Sequence, residues 1–357
     1  MRTALGMILL LAAFSGCGSN DDAARPPATV GPTVAPPTPA VSGYDLHEWG
    51  VVAIRPGSFE VAAGAGQRAP EAMAVDKPVL YVHPASSDPF ELRLTVTTAP
   101  ALSVVEHFPP TGIAPLTWTA RVSGTCEGIY PAMQDSRCPD GYCEIGELRL
   151  YEADGACLDV AGARAPLLFY RLWAPGGTAP AMPLAVTRER SGVTVSNGGL
   201  RDAPGHAWRI TWTGTVTRVA PVTLPAVGST TPLPTADGDV QVARRTLRAD
   251  LREQGLTEPE TDAFMRGWDA ALFGEVAASD SIPADDQPVP PPSDRSSAVD
   301  ELSRDDGIDL PGYIGGPRVR DALVYWLPAD AIDSLARIEA TPPPREVRRV
   351  FLVRHAF

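Results

Sequence analysis

The chain has too little positive charge for a nucleic-acid-binding protein. Lys and Arg number 30 against 43 Asp and Glu, which gives a formal net charge of -13 at pH 7 and a pI near 4.9. Binding to a phosphate backbone requires basic patches. This charge balance therefore argues against nucleic acid as a partner.

The familiar catalytic motifs are also missing. The sequence contains no G-x-S-x-G, no H-E-x-x-H and no Walker loop, and it has only five histidines. We therefore expect a binding or structural role in preference to an enzymatic one.

The chain has a single long apolar run, and it is too short to span a bilayer. Residues 4–14 are apolar, Arg2 precedes them, and Ser15 and Gly16 are small. Eleven apolar residues suit a signal peptide better than a membrane helix. Because Cys17 follows directly, this region resembles the lipobox of bacterial lipoproteins. The resemblance implies cleavage before Cys17, lipidation of its thiol and attachment to the membrane through that lipid. The lack of Asp after Cys17 implies the outer membrane.

Composition divides the rest of the chain. Residues 17–42 hold the lipidated cysteine and a proline-rich stretch, which favours an extended tether. We expect a β-rich domain over residues 43–240. Residues 241–357 should supply helices, an acidic insert near 280–309 and closing strands, all packed on the same body.

Alternating and β-branched runs predict a mainly β fold of antiparallel sandwich type. The segment 208–219 (WRITWTGTVTRV) alternates throughout and is expected to form one strand. A helical hairpin interrupts the strands in the C-terminal third. Its first helix should cover 242–254 and end at Gly255, and the residues 257–260 (TEPE) read as a capping box that begins the second.

Four cysteines lie within one 32-residue window, at Cys126, Cys138, Cys143 and Cys157. An even number in an exported protein predicts two disulfides, with three possible pairings. We favour Cys126–Cys138 and Cys143–Cys157, because sequential closure keeps each loop short. A four-cysteine zinc site is the alternative, although the spacings lack paired C-x2-C units.

A second resemblance covers most of residues 44–357. The motif Leu46-His47-Glu48-Trp49-Gly50, followed by KPVLY at 77–81, LLFYR at 167–171, YWLP at 325–328 and RVFLV at 349–353, resembles a family of exported bacterial lipoproteins with an N-terminal LHEWG(T) motif. The family has no assigned activity, so the resemblance implies an architecture and an export address.

The remaining candidates for chemistry are histidines next to acidic residues. His47, Glu48, His83 and His107 lie at the ends of predicted strands and could form a divalent metal site that activates water. Neighbouring residues of a strand point to opposite faces, however, so His47 and Glu48 would then be separated. In that case we expect His47 to bond to the backbone and Glu48 to pair with an arginine.

We therefore expect an envelope-anchored lipoprotein whose β domain binds a polymer or a protein partner without a cofactor. The alternative is a metal-dependent hydrolase built on His47, Glu48, His83 and His107. Elemental analysis of the purified protein would separate the two.

Overall fold

Strands dominate the folded body, and antiparallel pairs dominate the strands. The computed structural model describes residues 43–55, 59–60, 67–68, 72–130, 144–174, 177–189, 192–213, 216–273 and 321–357. The mainly β prediction is confirmed. The predictions for the signal peptide, Cys17, the tether, Cys138, Cys143 and the acidic insert lie outside the described residues.

The described elements follow one another along the chain as twenty strands, one 3-10 helix and three α-helices. They are β1 (Tyr44–Arg55), β2 (Phe59–Glu60), β3 (Gln67–Arg68), β4 (Ala72–Pro84), β5 (Phe90–Thr98), β6 (Ser103–Phe108), β7 (Gly112–Ile113), β8 (Leu116–Ser123), the 3-10 helix (Glu144–Tyr151), β9 (Cys157–Val160), β10 (Ala163–Ala165), β11 (Leu168–Ala174), β12 (Leu184–Glu189), β13 (Gly192–Asn197), β14 (Ala207–Thr213), β15 (Val216–Val222), β16 (Thr230–Pro232), β17 (Gly238–Asp239), α1 (Val240–Glu253), α2 (Glu258–Phe273), β18 (Asp321–Leu327), α3 (Ala329–Leu335), β19 (Ala336–Thr341) and β20 (Glu346–Ala356).

The strands form two large sheets and two small ones. The nine-stranded sheet has the order β17-β15-β14-β18-β20-β1-β4-β11-β6, and the six-stranded sheet has the order β10-β9-β8-β5-β19 with β7 paired to β8. Strands β12, β13 and β16 form a third sheet, and β2 and β3 form a fourth. The first long strand, β1, pairs in parallel with the last, β20, so the two ends of the body meet at the centre of the large sheet.

Alternation along the central strands sorts the core into two layers. Leu46 and Val52 of β1 belong to a buried cluster that includes Trp118 of the six-stranded sheet. Trp49 and Val51 belong to a second cluster that includes helical residues such as Phe264. Because the side-chain period of a strand is two, one face of the large sheet packs on another sheet and the other face on helices.

The helical hairpin is confirmed, with α1 and α2 as its two arms. Gly255 follows α1 with a φ of +92°, the left-handed conformation that ends many helices. Phe264, Trp268 and Leu272 of α2 are buried against the large sheet, as their i, i+4, i+8 spacing indicates. Among the described residues, no helix is long and apolar enough to cross a membrane.

The single strand expected over 208–219 is wrong. Thr213 pairs with Val216, so the chain reverses there and the segment contributes to β14 and β15. The reversal changes which residues share a face: Trp208 and Ile210 are buried with Val219, whereas Val216 is 42% exposed. Uninterrupted alternation in sequence cannot distinguish one long strand from a tight hairpin.

The expected cysteine pairing is also wrong. Cys126 is bonded to Cys157, with Cα atoms 5.0 Å apart, which excludes both Cys126–Cys138 and Cys143–Cys157. Strand pairing explains the choice, since Ser123 of β8 lies opposite Cys157 of β9 and the Cys157 N–H donates to the Gly124 carbonyl at 2.7 Å. A bonded pair also cannot serve the four-cysteine zinc site.

Candidate metal centre

Two histidines and one glutamate converge between the large sheet and the helical hairpin. His47 Nδ1 lies 2.9 Å from Glu260 Oε2 and 3.1 Å from Oε1, and His83 Nε2 lies 3.1 Å from Oε1. One ligand atom from each residue lies within 4.8 Å of the other two. Within the described residues, this is the one group of three or more such side chains close enough to share an ion.

The two histidines are adjacent because β1 and β4 pair in antiparallel register. Asp45 lies opposite His83, and His47 lies opposite Tyr81. His47 and His83 are therefore diagonal neighbours on the face that carries the helices, with ring centroids 4.4 Å apart. The register alone fixes this half of the site.

Glu260 arrives from the first turn of α2, where the predicted capping box is confirmed. Its N–H donates to Thr257 Oγ1 at 3.2 Å, and its Oε2 accepts from the Thr257 N–H at 2.8 Å. The same carboxylate reaches both imidazoles. The cap therefore holds a fully buried carboxylate in a fixed position above the sheet.

The charges of the three groups are coupled. Burial acts to raise the pKa of Glu260, but the hydrogen bonds from His47 and His83 outweigh it and hold the pKa at about 2. Burial acts in the opposite sense on His83, and its contact with Glu260 outweighs that effect, so the pKa of His83 is raised. The glutamate is ionised at neutral pH and offers a negative charge to any ion between the rings.

The separations suit a shared metal ion. Ligands about 2.0–2.1 Å from a tetrahedral zinc ion lie roughly 3.3 Å from one another. The nitrogen-to-oxygen distances of 2.9 and 3.1 Å are close to that value, and the three ligand atoms lie within 4.8 Å of one another, so the side chains need only draw together around an ion. Two neutral imidazoles and a carboxylate form a donor set typical of zinc and of other divalent transition metals.

Glu48 does not join this site, because it occupies the opposite face of β1. Its Oε1 accepts a hydrogen bond from the Tyr170 hydroxyl at 2.6 Å, and its Oε2 accepts one from Arg349 Nε at 2.5 Å. The prediction that Glu48 pairs with an arginine is confirmed. The expectation that His47 bonds to the backbone is wrong: among the described residues, its side chain bonds to the carboxylate of Glu260.

His107 is elsewhere as well. It lies on β6, at the edge of the large sheet, where its Nε2 is within 3.0 Å of the Thr111 carbonyl oxygen and 3.1 Å of the Thr111 nitrogen. Of the four metal candidates named from the sequence, the fold brings only His47 and His83 together.

The other residues of the LHEWG motif have packing roles. Trp49 is buried among the rings of Tyr81, Tyr151 and Phe264. At Gly50 a Cβ atom would lie 3.1 Å from the Pro78 backbone, so a larger residue would press against the neighbouring strand. These contacts hold β1 against β4 and α2, and therefore support the positions of His47 and His83.

A shallow cleft of about 330 Å³ leads away from His83. Its walls include hydroxyl groups and one carboxylate: Ser86, Ser87, Ser123, Thr125 and Asp154. Comparison of the chain with protein-family models, with curated proteins and with solved structures finds no match. What the site can do is therefore argued from its own chemistry.

Proposed function

We propose that this is an exported, membrane-anchored protein whose β body binds one divalent transition-metal ion, with zinc as the first choice, through His47, His83 and Glu260. The observation that carries the proposal is the convergence of three ligand atoms within 4.8 Å of one another. The amended ligand set replaces Glu48 and His107 with Glu260.

The donor chemistry supports an ion over a purely structural cluster. Both imidazoles aim a ring nitrogen at the same buried carboxylate, which places two nitrogen ligands and one oxygen ligand around a single point. An ion between them would be bound by three ligands at once, and structural or catalytic zinc sites use such sets. The partial exposure of His83, with 18% of its side chain accessible, leaves a route by which the ion can enter.

The test is calorimetric titration of chelator-treated protein with Zn²⁺. We expect one ion per chain, with affinity reduced on the order of 100-fold or more in His83→Ala and Glu260→Gln, because loss of even an outer partner of a metal site commonly costs 10–100-fold. His107→Ala is the matched control, since it removes a histidine that lies elsewhere, and it should bind like the parent chain. Equal affinity in all four proteins would contradict the proposal.

The anchor and the partner are the second part of the proposal. The short apolar run at 4–14, the cysteine at position 17 and the proline-rich stretch after it support a lipoprotein of the outer membrane, held off the bilayer by residues 17–42. We propose that the tethered β body binds a polymer or a protein partner in the cell envelope.

Metabolic labelling with a fatty acid tests the anchor. The parent chain should incorporate label and partition into detergent, whereas Cys17→Ser should do neither. Labelling that persists in Cys17→Ser would contradict lipidation at this residue.

A further inference from the structure

Of the three candidate ligands, His83 is the one that lines a surface cleft. Glu260 is fully buried and the His47 side chain is 8% exposed, whereas the His83 side chain is 18% exposed and lines the cleft. Three protein ligands leave a tetrahedral ion one further position. That position would be filled by water supplied from the cleft, which is the arrangement that distinguishes catalytic zinc sites from closed structural ones.

Asp154 is exposed beside this opening, where it bonds to the same turn that presents Glu260. Its Oδ1 accepts a hydrogen bond from Thr257 Oγ1 at 2.8 Å, and the Thr257 N–H donates to Glu260. Asp154 also lines the cleft together with His83. One threonine therefore sets the position of a ligand and of a second carboxylate that a molecule in the cleft can reach.

The walls of the cleft indicate the kind of molecule that would enter. Besides His83 and small or apolar residues, the lining carries the hydroxyl groups of Ser86, Ser87, Ser123 and Thr125 and the carboxylate of Asp154. Among the described residues, no lysine or arginine lines the cleft. Hydroxyls can donate to the carbonyl oxygen of a substrate. Away from the metal ion, an anionic group on the substrate would face Asp154 with no lysine or arginine of the lining to pair with it. An uncharged ester or amide fits this lining best.

We propose that the cleft and the metal centre form a hydrolytic site for uncharged esters or amides, with Asp154 as the proton acceptor. The inference rests on the proposed metal binding. The oxygen of the metal-bound water forms a bond to the carbonyl carbon while its proton passes to Asp154. The C–O or C–N bond then breaks, and the proton moves from Asp154 to the departing oxygen or nitrogen. One water is consumed and no oxidant or reductant is needed.

The first test uses acetohydroxamate, a small chelator that binds to metal ions with open positions. Protein loaded with Co²⁺ in place of Zn²⁺ should change its visible absorption when acetohydroxamate binds. Asp154→Asn should weaken acetohydroxamate binding about tenfold or more, by a larger factor than it weakens Co²⁺ binding. Asp159→Asn, which removes a carboxylate that binds the Gly162 N–H instead, is the matched control and should behave like the parent chain.

The second test is hydrolysis of p-nitrophenyl acetate by the full chain. Zinc-loaded protein should exceed the metal-free protein by at least about tenfold, and Asp154→Asn should lose most of that gain. Failure to bind Co²⁺ or Zn²⁺ would refute the metal site itself. Metal binding without acetohydroxamate binding, or without zinc-dependent hydrolysis, would overturn the hydrolytic site alone. Unchanged behaviour of Asp154→Asn in both assays would remove Asp154 from its role.

Discussion

Replacing Glu48 with glutamine removes the negative charge that Arg349 faces between the two large sheets. Glu48 is fully buried, and the Arg349 side chain is 4% exposed. Burial outweighs the stabilisation of the carboxylate by Arg349 and Tyr170, so the pKa of Glu48 is raised from its ordinary value. The substitution therefore leaves a buried guanidinium without its main counter-charge.

The geometry sets the size of the effect. Removing one partner of a buried ion pair typically costs about 3–5 kcal/mol. Arg349 keeps two other contacts, with Asp333 at 2.6 Å and the Ala336 carbonyl oxygen at 2.8 Å, so we expect the lower end, about 3 kcal/mol. Asp333→Asn provides the contrast: the Asp333 side chain is 57% exposed, and its loss should cost about 0–1 kcal/mol.

Urea unfolding followed by tryptophan fluorescence measures both variants against the parent chain. Glu48→Gln should lower the free energy of unfolding by at least about 2 kcal/mol more than Asp333→Asn. It should also leave Zn²⁺ affinity unchanged, because Glu48 lies on the face opposite His47. A Glu48→Gln free energy within about 1 kcal/mol of the parent value would refute the reasoning about the buried pair.

Three further outcomes follow from the described contacts. The folded-state pKa of Glu260, about 2, lies below its ordinary value of 4.5, so its stabilising contribution is present above pH 4.5 and is lost as the pH falls towards 2. Acid unfolding of metal-free protein should show a loss of about 3 kcal/mol over that window, and Glu260→Gln should abolish this pH-dependent part. Under non-reducing conditions, trypsin should release peptide 122–137 linked to peptide 150–164 through Cys126 and Cys157; a link from 122–137 to 138–149 would contradict the pairing. Replacing both Cys126 and Cys157 with serine removes a cross-link between residues 31 apart in sequence. In urea unfolding, this variant should have a free energy of unfolding about 3–4 kcal/mol lower than that of the parent chain. An unchanged free energy of unfolding would contradict the expected contribution of the disulfide.

Local signals predict the parts of this protein that depend on neighbours in sequence. The capping box at 257–260 and the stop at Gly255 are set by backbone groups within one helical turn, and both are confirmed. The separation of His47 from Glu48 follows from the period of a strand, and it is confirmed too.

Features that depend on distant pairing are beyond such signals. Glu260 is 213 residues from His47 and 177 from His83, so no spacing rule could join them. The sequence marked Glu260 only as a cap residue. One signal in the sequence could have found it. Glu260 is spaced four residues before Phe264 on the apolar face of α2, so its side chain is expected to be buried with that face.

The errors have the same origin. The Cys126–Cys157 bond follows from the pairing of β8 with β9, which loop length does not reveal. The sequence alternates without a break across the reversal between Thr213 and Val216. After the reversal, however, the odd-numbered Val219 is buried with the even-numbered Trp208 and Ile210. The resemblance to exported LHEWG(T) lipoproteins stays a prediction, as do the lipid anchor and its membrane.

X-ray absorption at the zinc edge of the zinc-loaded protein tests the central claim most directly. We predict a first shell of nitrogen and oxygen at about 2.0–2.1 Å, with outer scattering from two imidazole rings and no sulfur. A shell at about 2.3 Å, the distance of a zinc–thiolate bond, would place the ion on cysteines and contradict the assignment to His47, His83 and Glu260.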